Sequence, residues 1–254
     1  MAGQTETRRL ARDPAVAVWT VAGLCWTATV ALTVLGGQGM AGHDQIIEHD
    51  TGPWALRIGG FVLGWTVMVA AMMLPSTVAM TRLFTAVSAR APHPYRARAT
   101  LFAVYLAVWL GFGLVALAGD TTVHAVVDRL AWLHAHEGVV EAGLLAVAGA
   151  AQFSPIKDRC LTACRDPLSM LWQHYRRGAG AWRVAWHHAL NCLGCCWGLM
   201  LVMFGVGVGN LGVMLGLTAV MVAEKITRWG RRLVAPVGVL LLVAAVVEGF
   251  GARA

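Results

Sequence analysis

Long runs of apolar residues, separated by short polar connections, make up most of this chain. The runs lie at about 15–35, 54–84, 99–118, 139–153, 184–206, 211–223 and 233–247. Because a helix needs about 20 apolar residues to cross the hydrocarbon core of a bilayer, the pattern predicts an all-α fold, a polytopic transmembrane helical bundle. About seven membrane helices are expected, and six is the alternative because the sixth and seventh runs are short.

The polar connections alternate in charge along the chain. Nearly all Lys and Arg residues fall in the N-terminal tail and in segments 82–98, 157–183 and 225–232, whereas segments 36–53 and 120–138 are acidic and contain histidines. Basic connections mark the cytoplasmic side of a membrane protein. We therefore expect a multi-pass protein of the cell inner (plasma) membrane, with the N-terminus inside and the C-terminus outside.

One integral membrane domain is expected over residues 15–254. The basic tail over residues 1–14, which contains Arg8, Arg9 and Arg12, is expected to be disordered. No small-residue cleavage motif clearly follows the first apolar run, so the sequence does not predict a cleaved signal peptide.

Composition supports the membrane interpretation. The chain is 58% hydrophobic and 13% charged, whereas a soluble domain carries about 25% charged residues. The net charge of +7 falls in short blocks between apolar runs, a pattern typical of orientation signals and contact with anionic lipid. We expect the lipid bilayer as a partner and no nucleic acid. No nucleophile–base arrangement, phosphate loop or zinc-protease helix is present, so the sequence favours a role other than enzymatic hydrolysis.

The strongest chemical signal lies in the fifth apolar run. On a helix, Cys192, Cys195 and Cys196 stand at i, i+3 and i+4 and share one face, which Met200 continues a turn later. Sulfur ligands at this spacing suit a soft metal ion. The alternative is that these thiols are small packing residues.

A second pair of thiols precedes this run. Cys160 and Cys164 have i, i+4 spacing, and the predicted topology puts them on the cytoplasmic side at the depth of the three helical cysteines. In that reducing compartment disulfides are disfavoured, and metal binding or redox switching is the expected use of cysteines. One shared site and two separate sets are both compatible with the spacing.

Met72 and Met73 are further candidate ligands. Adjacent residues on an ideal helix point about 100° apart, but Pro75 could distort the helix one turn later. The alternative is that both methionines fill gaps in the apolar core.

His188 and Glu224 complete the candidate ligands. His188 lies one turn before Cys192 on the same face, with a headgroup or capping contact as the alternative. Glu224 lies at the inner end of the sixth run, where a carboxylate is a candidate functional group; a tether to Lys or Arg on another helix is the plainer explanation.

Histidines and carboxylates in the predicted outer loops could capture cations weakly, although solvated loops explain them equally well. These residues are His43, Asp44, Glu48, His49, Asp50, His134, His136 and Glu137.

Four segments together resemble a bacterial and archaeal family of predicted metal-binding integral membrane proteins, the domain of unknown function 2182 (DUF2182). They are 71–76 (Ala-Met-Met-Leu-Pro-Ser), 152–167 with Cys160 and Cys164, 188–200 with the three helical cysteines, and Glu224-Lys225. The resemblance covers nearly all of the chain after the first helix and implies a metal-binding membrane protein. Ala189 departs from it, since the family is expected to have glycine after the histidine.

The sequence thus predicts a Cys- and Met-rich site near the cytoplasmic face that handles a soft metal ion by transport, storage or insertion. Thiolate and thioether ligands favour Cu(I), while His and Glu would shift the preference towards Zn(II). A metallochaperone or a membrane complex is the expected protein partner. A membrane thiol–disulfide oxidoreductase and a structural subunit of a membrane complex are the alternatives.

Overall fold

The computed structural model describes residues 13–36, 53–127, 129–130, 138–175, 180–206 and 210–251. Within these ranges the secondary structure is helical, so the predicted all-α class is confirmed. The α-helices are α1 (Pro14–Gly36), α2 (Trp54–Met73), α3 (Val78–Ser88), α4 (Pro94–Val127), α5 (Gly138–Gln152), α6 (Pro155–Arg165), α7 (Pro167–His174), α8 (Gly180–Val206), α9 (Leu211–Ile226) and α10 (Gly230–Gly251). A 3₁₀ turn (Leu74–Thr77) joins α2 to α3.

Among the described residues, five helical stretches are long and apolar enough to cross a membrane. They are Pro14–Val34, Trp54–Ser88, Pro94–Val127, Gly180–Phe204 and Gly230–Gly251, and α5 with α6 makes a sixth if this bent pair is one span. At 16 residues, α9 is shorter than the roughly 20 that a full crossing needs. The chain is therefore a multi-pass helical membrane protein with five or six such stretches, and the predicted orientation stays a prediction.

Two expected features differ from the structure or lie outside it. The helix that contains the third apolar run extends beyond residue 118, since α4 has 34 residues and ends at Val127. In its last turns His124 contacts Asp120, and no proline interrupts the helix. The basic tail over residues 1–12 and the outer-loop histidines and carboxylates lie outside the described residues, and Pro14 is the first residue of α1.

Pro75 interrupts the second span, as the sequence predicted. The backbone tightens into the 3₁₀ turn, and Ala71 O, for which Pro75 has no N–H to donate, accepts a hydrogen bond from the Trp26 indole N–H at 3.1 Å. Within the turn, Ser76 Oγ donates to Met73 O and Thr77 Oγ1 donates to Leu74 O, each at 2.8 Å. Proline removes a backbone donor and clashes with the preceding turn, which explains the break. The interruption places Ser76 within hydrogen-bond distance of Lys225, near the end of α9.

A bend separates α5 from α6, the helix that begins the predicted cytoplasmic segment. Ser154 caps α6 by accepting a hydrogen bond from the Lys157 backbone N–H at 3.1 Å, and Pro155 occupies the first helical position. Both are helix-start signals, so α6 begins as a new helix that makes a 60° angle with α5. Its cysteines consequently lie against α8.

Replacing Gly238 with alanine is expected to destabilise the bundle by about 1–3 kcal/mol through overpacking. A Cβ at this position on α10 would come within 2.6 Å of Phe153 Cε2 and 2.9 Å of Gln152 Cβ. Gly216→Ala on α9 is the control, because no atom lies within 4 Å of its Cβ position. Thermal unfolding in detergent compares the two, and equal stability of both variants would contradict the tight α5–α10 contact.

Candidate metal centre

The centre is built on α8. Its helical geometry turns Cys192, Cys195 and Cys196 towards the core, where each thiol-bearing residue is at most 2% exposed. The sulfurs of Cys195 and Cys196 lie 3.4 Å apart. All six cysteines of the chain are free, so this face of α8 carries unpaired thiols in an apolar interior.

A fourth thiol reaches this face from α6. Cys164 Sγ lies 3.9 Å from Cys195 Sγ. Two thiolates bound to one tetrahedral ion at a metal–sulfur distance of 2.3 Å would lie about 3.8 Å apart. The two sulfur sets that the sequence left as one site or two thus meet in space at Cys164 and Cys195.

Cys160 takes a different position. It packs against α8 at Gly194, where an added Cβ would lie 2.5 Å from the Cys160 sulfur. Only glycine permits this approach, because a side chain at position 194 would occupy the space of the thiol. Cys160 therefore contacts α8 at Gly194, whereas Cys164 contacts the thiol of Cys195.

Arg165 holds α6 in this place. Its guanidinium donates hydrogen bonds to Glu224 O at 2.5 Å and to Thr227 O at 2.8 Å, at the carboxyl end of α9. The last carbonyls of a helix lack partners within the helix, and a cation there is favourable. Because Arg165 follows Cys164 directly in the chain, this contact sets the position of that thiol.

Lys225 contacts the cysteine face from α9. Its ammonium donates hydrogen bonds to Cys192 Sγ at 2.9 Å and to Ser76 Oγ at 3.1 Å. The Tyr105 hydroxyl on α4 lies 2.9 Å from the same sulfur. An ammonium has no acceptor atom, so Cys192 must accept from Lys225, and this buried cation stands directly beside the thiol group.

Glu224 lies in a buried ion pair. Lys157 Nζ of α6 donates to Glu224 Oε2 at 2.7 Å and to Cys195 O at 3.0 Å, and the two side chains are 4% and 1% exposed. This is the tether between helices that the sequence offered as the plainer explanation of Glu224. The other carboxylate oxygen, Oε1, has no hydrogen-bond partner.

His188 lies one turn below Cys192 and is buried, with 5% exposure. Its ring stacks on Tyr105 with 5.6 Å between the ring centres, and neither ring nitrogen has a hydrogen-bond partner. Buried polar atoms are normally paired, so the two unpaired ring nitrogens of His188 are candidates for binding a ligand. The headgroup contact considered from the sequence does not fit this burial.

Met72 and Met73 end α2 with fully buried side chains. Both belong to the buried cluster that contains the three cysteines of α8. Eight of the nine predicted ligand residues thus lie on α8, in its buried cluster or packed against it, and the ninth, Glu224, is tied to Lys157.

The donor set is rich in sulfur and is not a complete cage. Within the part of the chain that the structure describes, no group of three His, Cys, Asp or Glu side chains has the arrangement of a metal site. The closest donors are the thiols of Cys164, Cys195 and Cys196. Such soft donors in small number suit a soft ion better than a hard one.

The sequence reasoning missed three side chains of this centre. Lys157 and Lys225 were counted only among the basic residues of the predicted cytoplasmic connections, and Tyr105 was not singled out. The available signal was position, since Lys225 follows a candidate carboxylate and an ionisable group at membrane depth is a functional candidate. No sequence pattern indicated that Tyr105 contacts Cys192.

Comparison with known proteins gives one result. A family model described as PpoB2, copper chaperone, matches residues 62–248, a range that starts in α2, ends in α10 and includes every residue of the centre. No curated protein matches the chain, and no solved structure matches it. The match names copper, whereas the resemblance to the domain of unknown function 2182 implied a metal in general, and it does not confirm that family by name.

Proposed function

Because this chain belongs to the PpoB2 family of copper chaperones, we propose that it binds Cu(I) as cargo at a thiol site near the cytoplasmic face of the inner membrane. The observation that carries the proposal is the 3.9 Å distance between Cys164 Sγ and Cys195 Sγ. Thiols from two helices that approach this closely, without forming a disulfide, supply a pair of ligands for a soft ion.

Cys195 is the central ligand of the proposed site. Its sulfur lies 3.9 Å from that of Cys164 and 3.4 Å from that of Cys196. Cys192 is engaged by Lys225, so it would join only after that contact lengthens. His188, Met72 and Met73 are secondary ligands, and the Lys157 ion pair makes Glu224 less available than the thiols.

The charges around the site favour a monovalent ion. Lys225 is buried beside Cys192, whereas the charge of Lys157 is balanced by Glu224, so the ammonium of Lys225 is the positive charge that a bound ion meets. Like charges repel strongly in a medium of low dielectric constant, so Zn(II) meets about twice the repulsion that Cu(I) meets. Together with the sulfur donors, this supports Cu(I) over Zn(II).

The proposed role is hand-over of copper rather than catalysis. A site of few, exchangeable thiols releases an ion when a partner offers competing thiols, which suits insertion or transport more than permanent storage. Cys164 lies on α6, at the predicted cytoplasmic side, where a metallochaperone or a membrane complex could reach it. The family description, copper chaperone, supports this role.

Replacing Cys192, Cys195 and Cys196 together with serine is expected to remove the tightest bound Cu(I) equivalent. The protein is purified in detergent under reducing conditions and titrated with Cu(I) against a strong chelator. Cys25→Ser is the control, because Cys25 lies partly buried on α1 outside the proposed site. Unchanged tight Cu(I) binding in the triple variant, or tighter binding of Zn(II) by the native protein, would contradict the proposal.

A thiol–disulfide role is the second candidate, and the contact of Cys164 with Cys195 is what favours it. A disulfide between adjacent Cys195 and Cys196 does not fit a helix, because consecutive Cα atoms are about 3.8 Å apart and disulfides need 4.4 Å or more. Trapping of cysteine redox states in cells distinguishes the roles. A Cys164–Cys195 disulfide that accumulates during function would favour the redox role.

A further inference from the structure

Every methionine that the structure describes is buried. Met80 and Met170 belong to a separate cluster. The others share the cluster of the three cysteines of α8 and comprise Met68, Met72, Met73, Met200, Met203, Met214 and Met221. Sulfur in this cluster therefore extends well beyond the thiols of the candidate centre.

The depth of these thioethers follows from the helix register. Cys192 on α8 and Lys225 on α9 are in contact at 2.9 Å, and the two helices run in opposite directions. Met203 lies eleven residues after Cys192, and Met214 lies eleven residues before Lys225. At 1.5 Å per residue, both methionines lie about 16 Å farther into the bundle than this contact.

A third helix supports this register. Ser76 contacts Lys225 at 3.1 Å, and Trp65 lies eleven residues before Ser76 on the same interrupted span. The register therefore places Trp65 at the depth of Met203. In agreement, the Trp65 ring lies 5.2 Å from the ring of Phe204, the neighbour of Met203.

Further thioethers lie between the two depths. Met72 and Met221 are each four residues from the contact level, or about 6 Å deeper, which is the depth of Cys196. Met200, one turn beyond Cys196 on the same face of α8, is about 12 Å deep. The thiols are thus followed by thioethers at intervals of about one helical turn.

We propose that Met200, Met203 and Met214 hold a second Cu(I) ion, about 12–16 Å deeper than the Cys192–Lys225 contact, and that Met72 and Met221 connect it to the thiols. This inference rests on the proposed function at the cysteines. Thioether sulfur is a ligand that Cu(I) accepts and harder ions do not. Transfer exchanges one copper–sulfur bond for another, and the ion stays Cu(I) throughout.

Aromatic side chains close the deep end of this site. Trp65 packs on Phe204 and on Phe112, and its indole N–H donates to Trp109 O at 2.9 Å. The indole is thereby held in place at the depth of Met203, and an aromatic face attracts a cation. The three thioethers are neutral, so the second ion is expected to bind more weakly than the first.

The test is a Cu(I) titration of the full-length protein in detergent, followed by competition with a chelator. The native protein is expected to bind a tight and a weaker equivalent, and the Met200→Leu, Met203→Leu and Met214→Leu triple variant only the tight one. Leucine conserves volume, so folding should be preserved. Met80→Leu with Met170→Leu is the matched control, since these methionines are equally buried in the other cluster, and it should keep both equivalents.

The outcomes separate the two proposals. A triple methionine variant that still binds two equivalents, or a native protein that binds one, would overturn the second site while leaving the thiol site intact. Loss of the tight equivalent in the cysteine variant, with the weaker one retained, supports both proposals. If the triple variant is unstable, Met214→Leu alone is expected to weaken the second equivalent at least 10-fold, and unchanged affinity there would count against the site.

Discussion

Replacing Lys157 with alanine is expected to destabilise the protein by about 3–5 kcal/mol, the typical cost of leaving one partner of a buried ion pair uncompensated. Lys157 and Glu224 are 4% and 1% exposed and join α6 to α9. Without the ammonium, neither carboxylate oxygen of Glu224 keeps a hydrogen-bond partner, and the charge stays buried. Unfolding of the detergent-solubilised variant by denaturant or heat measures the loss.

The chain offers a matched control for this prediction. Arg231 and Asp158 also join α6 to its neighbours, but their side chains are 53% and 62% exposed. An exposed pair contributes about 0–1 kcal/mol, so Arg231→Ala should change stability little. In a double-mutant cycle, Glu224→Gln should recover part of the loss caused by Lys157→Ala. A Lys157→Ala variant as stable as Arg231→Ala would show that the pair does not hold α6 in place.

Replacing Arg165 with alanine is expected to lower Cu(I) affinity by about 10–100-fold, the usual effect of losing a group that orients a metal ligand. The Arg165→Ala substitution removes no sulfur from the site. The native Arg165 side chain holds the carboxyl end of α6 to the carbonyls of Glu224 and Thr227, and thereby keeps Cys164 next to Cys195. Chelator competition on the purified variant gives the affinity.

Arg159→Ala is the control for this variant, because Arg159 lies on the same helix with an exposed side chain. It tests whether loss of a positive charge on α6 is sufficient to change copper binding. Arg165→Lys should keep part of the affinity, since a lysine reaches one carbonyl rather than two. Equal Cu(I) affinity of the Arg165→Ala and Arg159→Ala variants would mean that the position of Cys164 does not govern binding.

Local patterns in the sequence determined the helices and the sulfur face of α8. Apolar runs of membrane length predict spans whatever the partners are, and Pro75 predicts an interruption from backbone chemistry alone. The spacing of Cys192, Cys195 and Cys196 predicts a shared face from the period of the helix. The number of spans does not follow from local pattern, because α9 and the helices of the bent α5–α6 pair are each shorter than a full crossing.

Only the tertiary structure decided which side chains meet across helices. It brought Cys164 to Cys195 and held Cys160 at Gly194, although both thiols lie on the same short helix. It also put Lys225 and Tyr105 on Cys192. Such contacts depend on the rotation, depth and crossing of separate helices, quantities set by packing of the whole bundle. The residue period within one helix carries no information about them, so the sequence determined the donors, and the packing decided their partners.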